Sequence, residues 1–312
     1  MSKSIRDAYG EALVTYGKDN PRVVVLDADV SGSTKSSIFG KACPERFYNV
    51  GIAEANMVGI AAGMASAGRI PFVNTFAVFL TSIGLTAARA FGSYSNLPIK
   101  MVGAYSGLSD AFDGPSHHSL EDIAIMRTLP NFKVFVASDA AQTAWIVKNA
   151  IVSPSPMYLR MSRDVFPDIY SSNEVFEEGK GKIVRDGNDA TIIACGLMVG
   201  NALKAADILA NDSINTRVVD MFCIKPLDEA LIAKCASETG AIVTAEEHSI
   251  YGGLGGAVCE SLCKAGIQVP VRMAAINDTH AECGPYAKLQ EKYGLDANAI
   301  AAKVKEAIAA KA

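Results

Sequence analysis

Glu54 is the first residue of this 312-residue chain whose setting invites chemistry. In NVGIAEANMVGIAAGMASAG an apolar run ends at Val50, Gly51 supplies a turn, and Glu54 opens a helix lined with Gly and Ala. That puts a carboxylate at the carboxyl end of a strand, the edge where open α/β sheets bind ligands. A glutamate in a first helical turn also complements the helix macrodipole with no ligand at all, and the segment by itself leaves both readings open. A second cluster, DGPSHHSLED, gathers Asp113, His117, His118, Glu121 and Asp122. Those side chains can ligate a metal, but His117 and Glu121, at helical spacing, equally make an ion pair at a helix start. YGGLGGAV, Tyr251 to Val258, leads into a helix and offers backbone amides to a phosphate, or else packs a helix tightly against a strand. His248, just ahead of it in AEEHS, reads as a loop or interface histidine.

What is missing narrows the classes. The first strand runs into LDADVSGSTKS, where Gly32 is the lone glycine, so the pyrophosphate turn of a dinucleotide site cannot form. No GxxxxGK[ST] or GxSxG occurs, which removes the commonest nucleotide-hydrolase and serine-hydrolase patterns. A net charge of -4 leaves no basic excess for nucleic acid or an anionic membrane face. There is no apolar run of membrane-spanning length and no leader-like N-terminus, so a cytoplasmic protein is expected. Seven cysteines without a CxxC pair fit reduced thiols, and Cys259 and Cys263, four apart on a helix, fit simple packing.

The elements that must position these residues alternate regularly. Short runs rich in Val, Ile and Phe at 23–26, 47–50, 70–74, 99–104, 132–137 and 157–159 are separated by amphipathic segments, the βαβ pattern of a mostly parallel, doubly wound α/β sheet. The polar stretch DVFPDIYSSNEVFEEGKGK interrupts the pattern. Strands then resume at 191–194, 217–220, 241–245 and 271–274, with helices from about Val199, Leu227, Gly255 and Ala297. The expected organisation is a first domain over 1–165, a linker over 166–185, and a smaller α/β domain over 186–312. RDGND, 185 to 189, reads as a hairpin turn.

GIAEANMVGIAAGMA, PFVNTFAVF, DGPSHHSLEDIAIMRTLPN and YLRMSR resemble the transketolase family in order and spacing, and TAEEHSIYGGLGGAV and ECGPYAKLQEKYG resemble that family's C-terminal domain. The resemblance spans essentially the whole chain. It implies a pyrimidine-binding domain for thiamine diphosphate followed by a transketolase C-terminal domain. Glu54 matches the glutamate that hydrogen-bonds the pyrimidine N1', a charge-assisted contact favouring the imino tautomer that removes the thiazolium C2 proton. Phe79 matches the aromatic stacked on the pyrimidine, Phe76 lines the same pocket, and Asp29 is carried over as a further coenzyme contact. Among substrate residues, Asp113 matches an aspartate on a donor-sugar hydroxyl and His117 a histidine near the sugar's phosphate or hydroxyl end. Arg163 matches a phosphate-binding arginine, and Arg6 and Ser33 match phosphate contacts by their spacing from the first strand.

Two departures from the family pattern carry consequences. The chain has no GDG followed by the Asn that holds Mg²⁺, so the diphosphate and metal ligands are expected on a separate GDG-containing N-terminal subunit, with this chain self-associating as the β dimer of an α2β2 assembly. Tyr105 stands where relatives carry a histidine that contacts the donor's reacting end, and Phe112 where an acidic residue precedes the aspartate. These imply a donor or acceptor other than the usual pentose phosphates, such as apulose 4-phosphate. Within the same coenzyme class the alternatives are a deoxyxylulose-phosphate synthase-like or 2-oxoacid dehydrogenase-like β subunit. Outside it stands a non-catalytic regulatory subunit, against which the presence of Glu54 and Phe79 argues.

Overall fold

The computed structural model describes residues 4–165 and 167–311. Six strands run parallel in the first half of the chain: β1 (Val23–Asp27), β2 (Phe47–Asn49), β3 (Ile70–Phe76), β4 (Lys100–Ala104), β5 (Lys133–Val136) and β6 (Met157–Arg160). β1, with sequence VVVLD, is buried along its whole length, as an interior strand covered on both faces must be. The second half adds β7 (Lys182–Arg185), β8 (Ala190–Ala194), β9 (Thr216–Asp220), β10 (Cys223–Lys225), β11 (Ile242–Ser249) and β12 (Val271–Ile276). Two sheets result, ordered β10-β5-β6-β4-β3-β1-β2 and β12-β11-β8-β9-β7. β10 and β7 are the antiparallel members, each at an edge.

The runs read from sequence as strands all form strands, and the helices expected near Val199, Leu227, Gly255 and Ala297 span Met198–Asn211, Glu229–Thr239, Leu254–Ala265 and Ala297–Ala309. Two of these have a carboxylate cap: Asp228 accepts from Leu231 N at 3.1 Å, and Asp296 from Ala299 N at 3.0 Å.

Three local features differ from expectation. β7 falls inside the stretch read as linker and pairs with β9, Ile183 opposite Val219. RDGND joins β7 to β8 but is no hairpin turn, because β9 lies between those two strands. Its glycine answers a different need, since a Cβ on Gly187 would come within 2.4 Å of the Thr216 carbonyl carbon. Finally, β10 belongs by sequence to the second domain yet completes the edge of the first sheet, after Phe222, whose ring packs against Phe135, Trp145 and Phe176.

Buried polar groups stitch the two sheets together. Arg160 at the end of β6 pairs with Asp122 at 2.7 Å and donates to the carbonyls of Ser119 and Glu247. Asp220 at the end of β9 accepts from Ser138 Oγ, Gln142 Nε2 and Tyr170 Oη, at 3.0, 2.8 and 2.7 Å. No helix among the described residues is long and apolar enough to cross a membrane.

Candidate active site

Parallel strands end on one side of a sheet, so neighbouring strands deliver whatever follows them to a common edge. Reading across the first sheet from β6 through β4, β3 and β1 to β2, the residues just past each strand are Arg163, Tyr105, Phe76 at the end of β3 itself, Asp29 and Glu54. The sheet order therefore lines up side chains that are more than a hundred positions apart in sequence.

Glu54 begins the helix Glu54–Ser66 and is 4% exposed. Among the described residues its carboxylate accepts one side-chain hydrogen bond, a long one of 3.3 Å from Thr75 Oγ1. Thr75 and Phe76 are the last two residues of β3, so the carboxylate and the aromatic cluster stand at the same strand end. The Phe76 ring lies 6.2 Å from Phe79 and 4.7 Å from Tyr105, and His117 presents its edge to Phe79 at 5.2 Å. Asp29, exposed at φ +66°, accepts from Asn49 Nδ2 at 2.7 Å.

Tyr105 is the hub of the other end. Its backbone takes φ +58°, a conformation that costs a bulky residue and that concentrates at functional sites. The Arg6 and Arg163 guanidinium carbons stand 4.8 and 5.0 Å from its ring centroid. Arg6 also donates to the Tyr105 hydroxyl at 3.2 Å, to the Ser33 carbonyl at 2.6 Å and to the Arg163 carbonyl at 3.2 Å. Ser33 thus meets Arg6 through its backbone. Asp113 is exposed in the same loop, and Phe112 projects to solvent at 71% exposure.

The structure brings in residues that sequence reading passed over. Asp110 is fully buried and accepts from Arg163 Nη1 at 2.9 Å, and its carboxyl is pushed up to about 6 by burial first, then by the hydrogen bond and charge of Asp113, against the pull of Arg163. Glu247, from β11, underlies the same loop: a Cβ on Gly107 (φ +63°) would fall 2.1 Å from Glu247 Oε2. Burial raises the Glu247 carboxyl to about 7, with Tyr286 and Arg160 opposing. A lone acid in a loop and a Glu inside an apolar strand give no pattern to read.

In two segments that the sequence left open, the structure shows what the side chains and amides meet within the chain. The glycine-rich segment after β11 feeds the helix Leu254–Ala265, and the Glu246 carboxylate takes the amides of Leu254 and Gly255, both at 2.7 Å. A Cβ on Gly253 would lie 2.0 Å from Glu246 Oε2, so the small residues admit the protein's own anion. His117 turns to the phenylalanines instead of Glu121, whose carboxylate accepts from Leu120 N at 2.9 Å. No three His, Cys, Asp or Glu side chains among the described residues gather to hold a metal. His248 lies within β11, wholly buried, and accepts from Ala124 N at 3.3 Å across the seam between the sheets.

Residues 1–168 match the family described as transketolase, pyrimidine binding domain, and residues 179–300 the transketolase, C-terminal domain. The chain belongs to the transketolase family. A putative transketolase C-terminal section from Methanocaldococcus jannaschii is 42% identical over 97% of this chain and 96% of that protein. Subunits of a 6-deoxy-6-sulfo-D-fructose transketolase from a Clostridium species and of an apulose-4-phosphate transketolase from Phocaeicola vulgatus are each 38% identical over 95% of this chain, and over 92% and 94% of their own lengths. A solved split-gene transketolase, described as an inactive beta4 tetramer, superposes with a TM-score of 0.92 at 46% identity, over 99% of both chains.

Transketolases use thiamine diphosphate, and the residues here fit its aminopyrimidine half. A buried carboxylate with one long hydrogen bond from the described residues and half-buried phenylalanine rings stand at the same sheet edge. At this edge two large apolar side chains remain on the surface: Ile52, between β2 and Glu54, at 83% and Phe112, in the loop after β4, at 71% exposure.

Proposed function

We propose that this chain is the C-terminal-section subunit of a two-chain transketolase and works with a GDG-containing N-terminal subunit in an α2β2 assembly. The observation that carries the reading is the row of Glu54, Phe76, Tyr105 and Arg163 along one sheet edge, in a chain of this family that has no GDG. The exposed Ile52 and Phe112 side chains at that edge support a docking partner. Seven free cysteines, four of them buried, accord with a reducing cytoplasm.

In this reading Glu54 accepts a hydrogen bond from the pyrimidine N1' side and holds it in a tautomer able to take up a proton. Phe79 would stack on the ring and Phe76 would line the same pocket, together excluding water. Asp29 adds a polar contact at the next strand end. When bound, thiamine diphosphate supplies the nucleophilic carbon and the electron sink of ketol transfer, with Mg²⁺ and its ligands on the partner subunit. Toward the sugar, Asp113 and His117 meet hydroxyl groups. Arg163, with Arg6 and Ser33 nearby, meets the anionic end.

The substrates are sugar phosphates, and the donor is a ketose other than the usual pentose phosphate. Overall identity does not choose among donors, since the two relatives named for different sugars are equally similar. The choice rests on Tyr105, which puts a phenol, its hydroxyl held by Arg6, where relatives carry an imidazole. The test compares kcat/KM of the reconstituted enzyme on xylulose 5-phosphate, apulose 4-phosphate and 6-deoxy-6-sulfofructose, before and after Tyr105→His. His tolerates the positive φ better than Tyr, so the variant is expected to fold and to shift preference toward xylulose 5-phosphate. A wild type that already prefers xylulose 5-phosphate with ribose 5-phosphate refutes this donor assignment.

A further inference from the structure

Asp110 is unlike the other groups of the sugar-binding edge. It carries no part of the family resemblance, yet its carboxyl is fully buried directly behind Arg163, an arginine whose side chain is 43% exposed. Oδ1 accepts from Arg163 Nη1 at 2.9 Å, while Oδ2 is buried with no donor from the described residues. The surrounding loop is built onto the same arginine: Ser109 Oγ accepts from Arg163 N at 3.0 Å and donates to the Ser106 carbonyl at 2.6 Å. The turn closes on Asp110 itself, whose carbonyl accepts from the amides of Asp113 and Gly114.

We propose that Asp110 is a specificity-determining positioning residue, which fixes the Arg163 fork by one nitrogen and offsets its charge, so that the pocket discriminates among sugars by the charge of their anionic end. This rests on the reading of Arg163 as the residue that meets that end. Two consequences follow from the geometry. An arginine tied through Nη1 keeps only its remaining N–H groups for a substrate, which converts a free-swinging cation into a directed donor. A carboxylate 2.9 Å behind the guanidinium also repels an incoming anion, and a dianionic phosphate feels that repulsion about twice as strongly as a monoanionic sulfonate. The other charged groups at this edge are Arg6, Asp113 and Asp164, with His117 beside them. Ionised Asp110 therefore brings the local charge down and narrows the margin by which a sugar phosphate is bound over sugars whose end carries one negative charge or none.

The test is Asp110→Asn in the reconstituted two-chain enzyme, since Asn keeps the acceptor for Arg163 and removes the charge. Three donors of different end charge are compared: a ketose phosphate, 6-deoxy-6-sulfofructose, and unphosphorylated xylulose. The expected result is a KM for the phosphate donor lower by about threefold to tenfold, a smaller fall for the sulfonate, no change for xylulose, and kcat altered by less than about twofold throughout. A thermal melt of the same variant, expected within about two degrees of the wild type, shows that the buried turn is kept. Equal changes for all three donors, or a KM unchanged for the charged ones, overturn the proposal. Failure of the wild-type pair to transfer a ketol unit would instead refute the functional assignment on which it stands.

Discussion

Glu54→Gln separates a catalytic carboxylate from a helix-start ornament. The side chains are nearly isosteric and Glu54 is 4% exposed, so the packing of the helix Glu54–Ser66 against β3 survives the change. What is lost is a charge-assisted acceptor for the pyrimidine, whose removal from a positioned acid–base group costs about 10² to 10⁴ in rate, or roughly 3 to 5 kcal/mol of barrier. Stability should change little: among the described residues the Glu54 carboxylate accepts from Thr75 Oγ1 at 3.3 Å, a contact the glutamine amide oxygen keeps, so Tm should stay within about two degrees of the wild type. The assay is exchange of the coenzyme C2 proton, followed by proton NMR in the assembled enzyme, beside a thermal melt of the chain alone. A variant that exchanges at the wild-type rate refutes the role, and one that loses several degrees in Tm shows that the carboxylate is structural.

Glu247 makes stability depend on pH. Its folded carboxyl stands near 7 against 4.5 in the unfolded chain, so the folded state holds the proton more tightly; that stabilisation is complete below about pH 4.5 and is lost as pH rises through 7. Glu247→Gln should match the wild type in urea melts at pH 4.5 and exceed it at pH 8 by up to about 3 kcal/mol; equal stability at pH 8 would contradict this. Asp122→Ala strands the buried Arg160 guanidinium and removes the acceptor of the Tyr158 hydroxyl, so it should cost about 3 to 5 kcal/mol in equilibrium unfolding. A loss below 1 kcal/mol would mean that solvent reaches the pair.

How far the sequence reaches is clearest strand by strand. β1, β3 and β8 announce themselves as runs rich in buried Val, Ile and Phe, because interior parallel strands are apolar on both faces. β7 and β10 do not, since edge strands of four and three residues carry no periodicity, and β10 joins a sheet more than sixty residues upstream of it. Glu54 was legible as a strand-end carboxylate and gained its specific role from the family resemblance. Asp110 and Glu247 were not legible. Their importance comes from who lies behind them in space, Arg163 for the one and Gly107 for the other, and those pairings arise only when the loop after β4 folds back over the seam between the sheets. The amides of the glycine-rich segment show the converse case, a phosphate-like cradle whose anion, Glu246, comes from the chain itself.

The central claim is that this chain holds one half of a shared active site. The most direct measurement mixes the purified chain with a GDG-containing N-terminal transketolase subunit, thiamine diphosphate and Mg²⁺, and records ketol transfer together with the mass of the complex. The account predicts no turnover by the chain alone, turnover on mixing, and a 2:2 complex that binds the coenzyme. Robust turnover by this chain without a partner, or a stable 2:2 complex that stays inactive on every ketose phosphate offered, would contradict it.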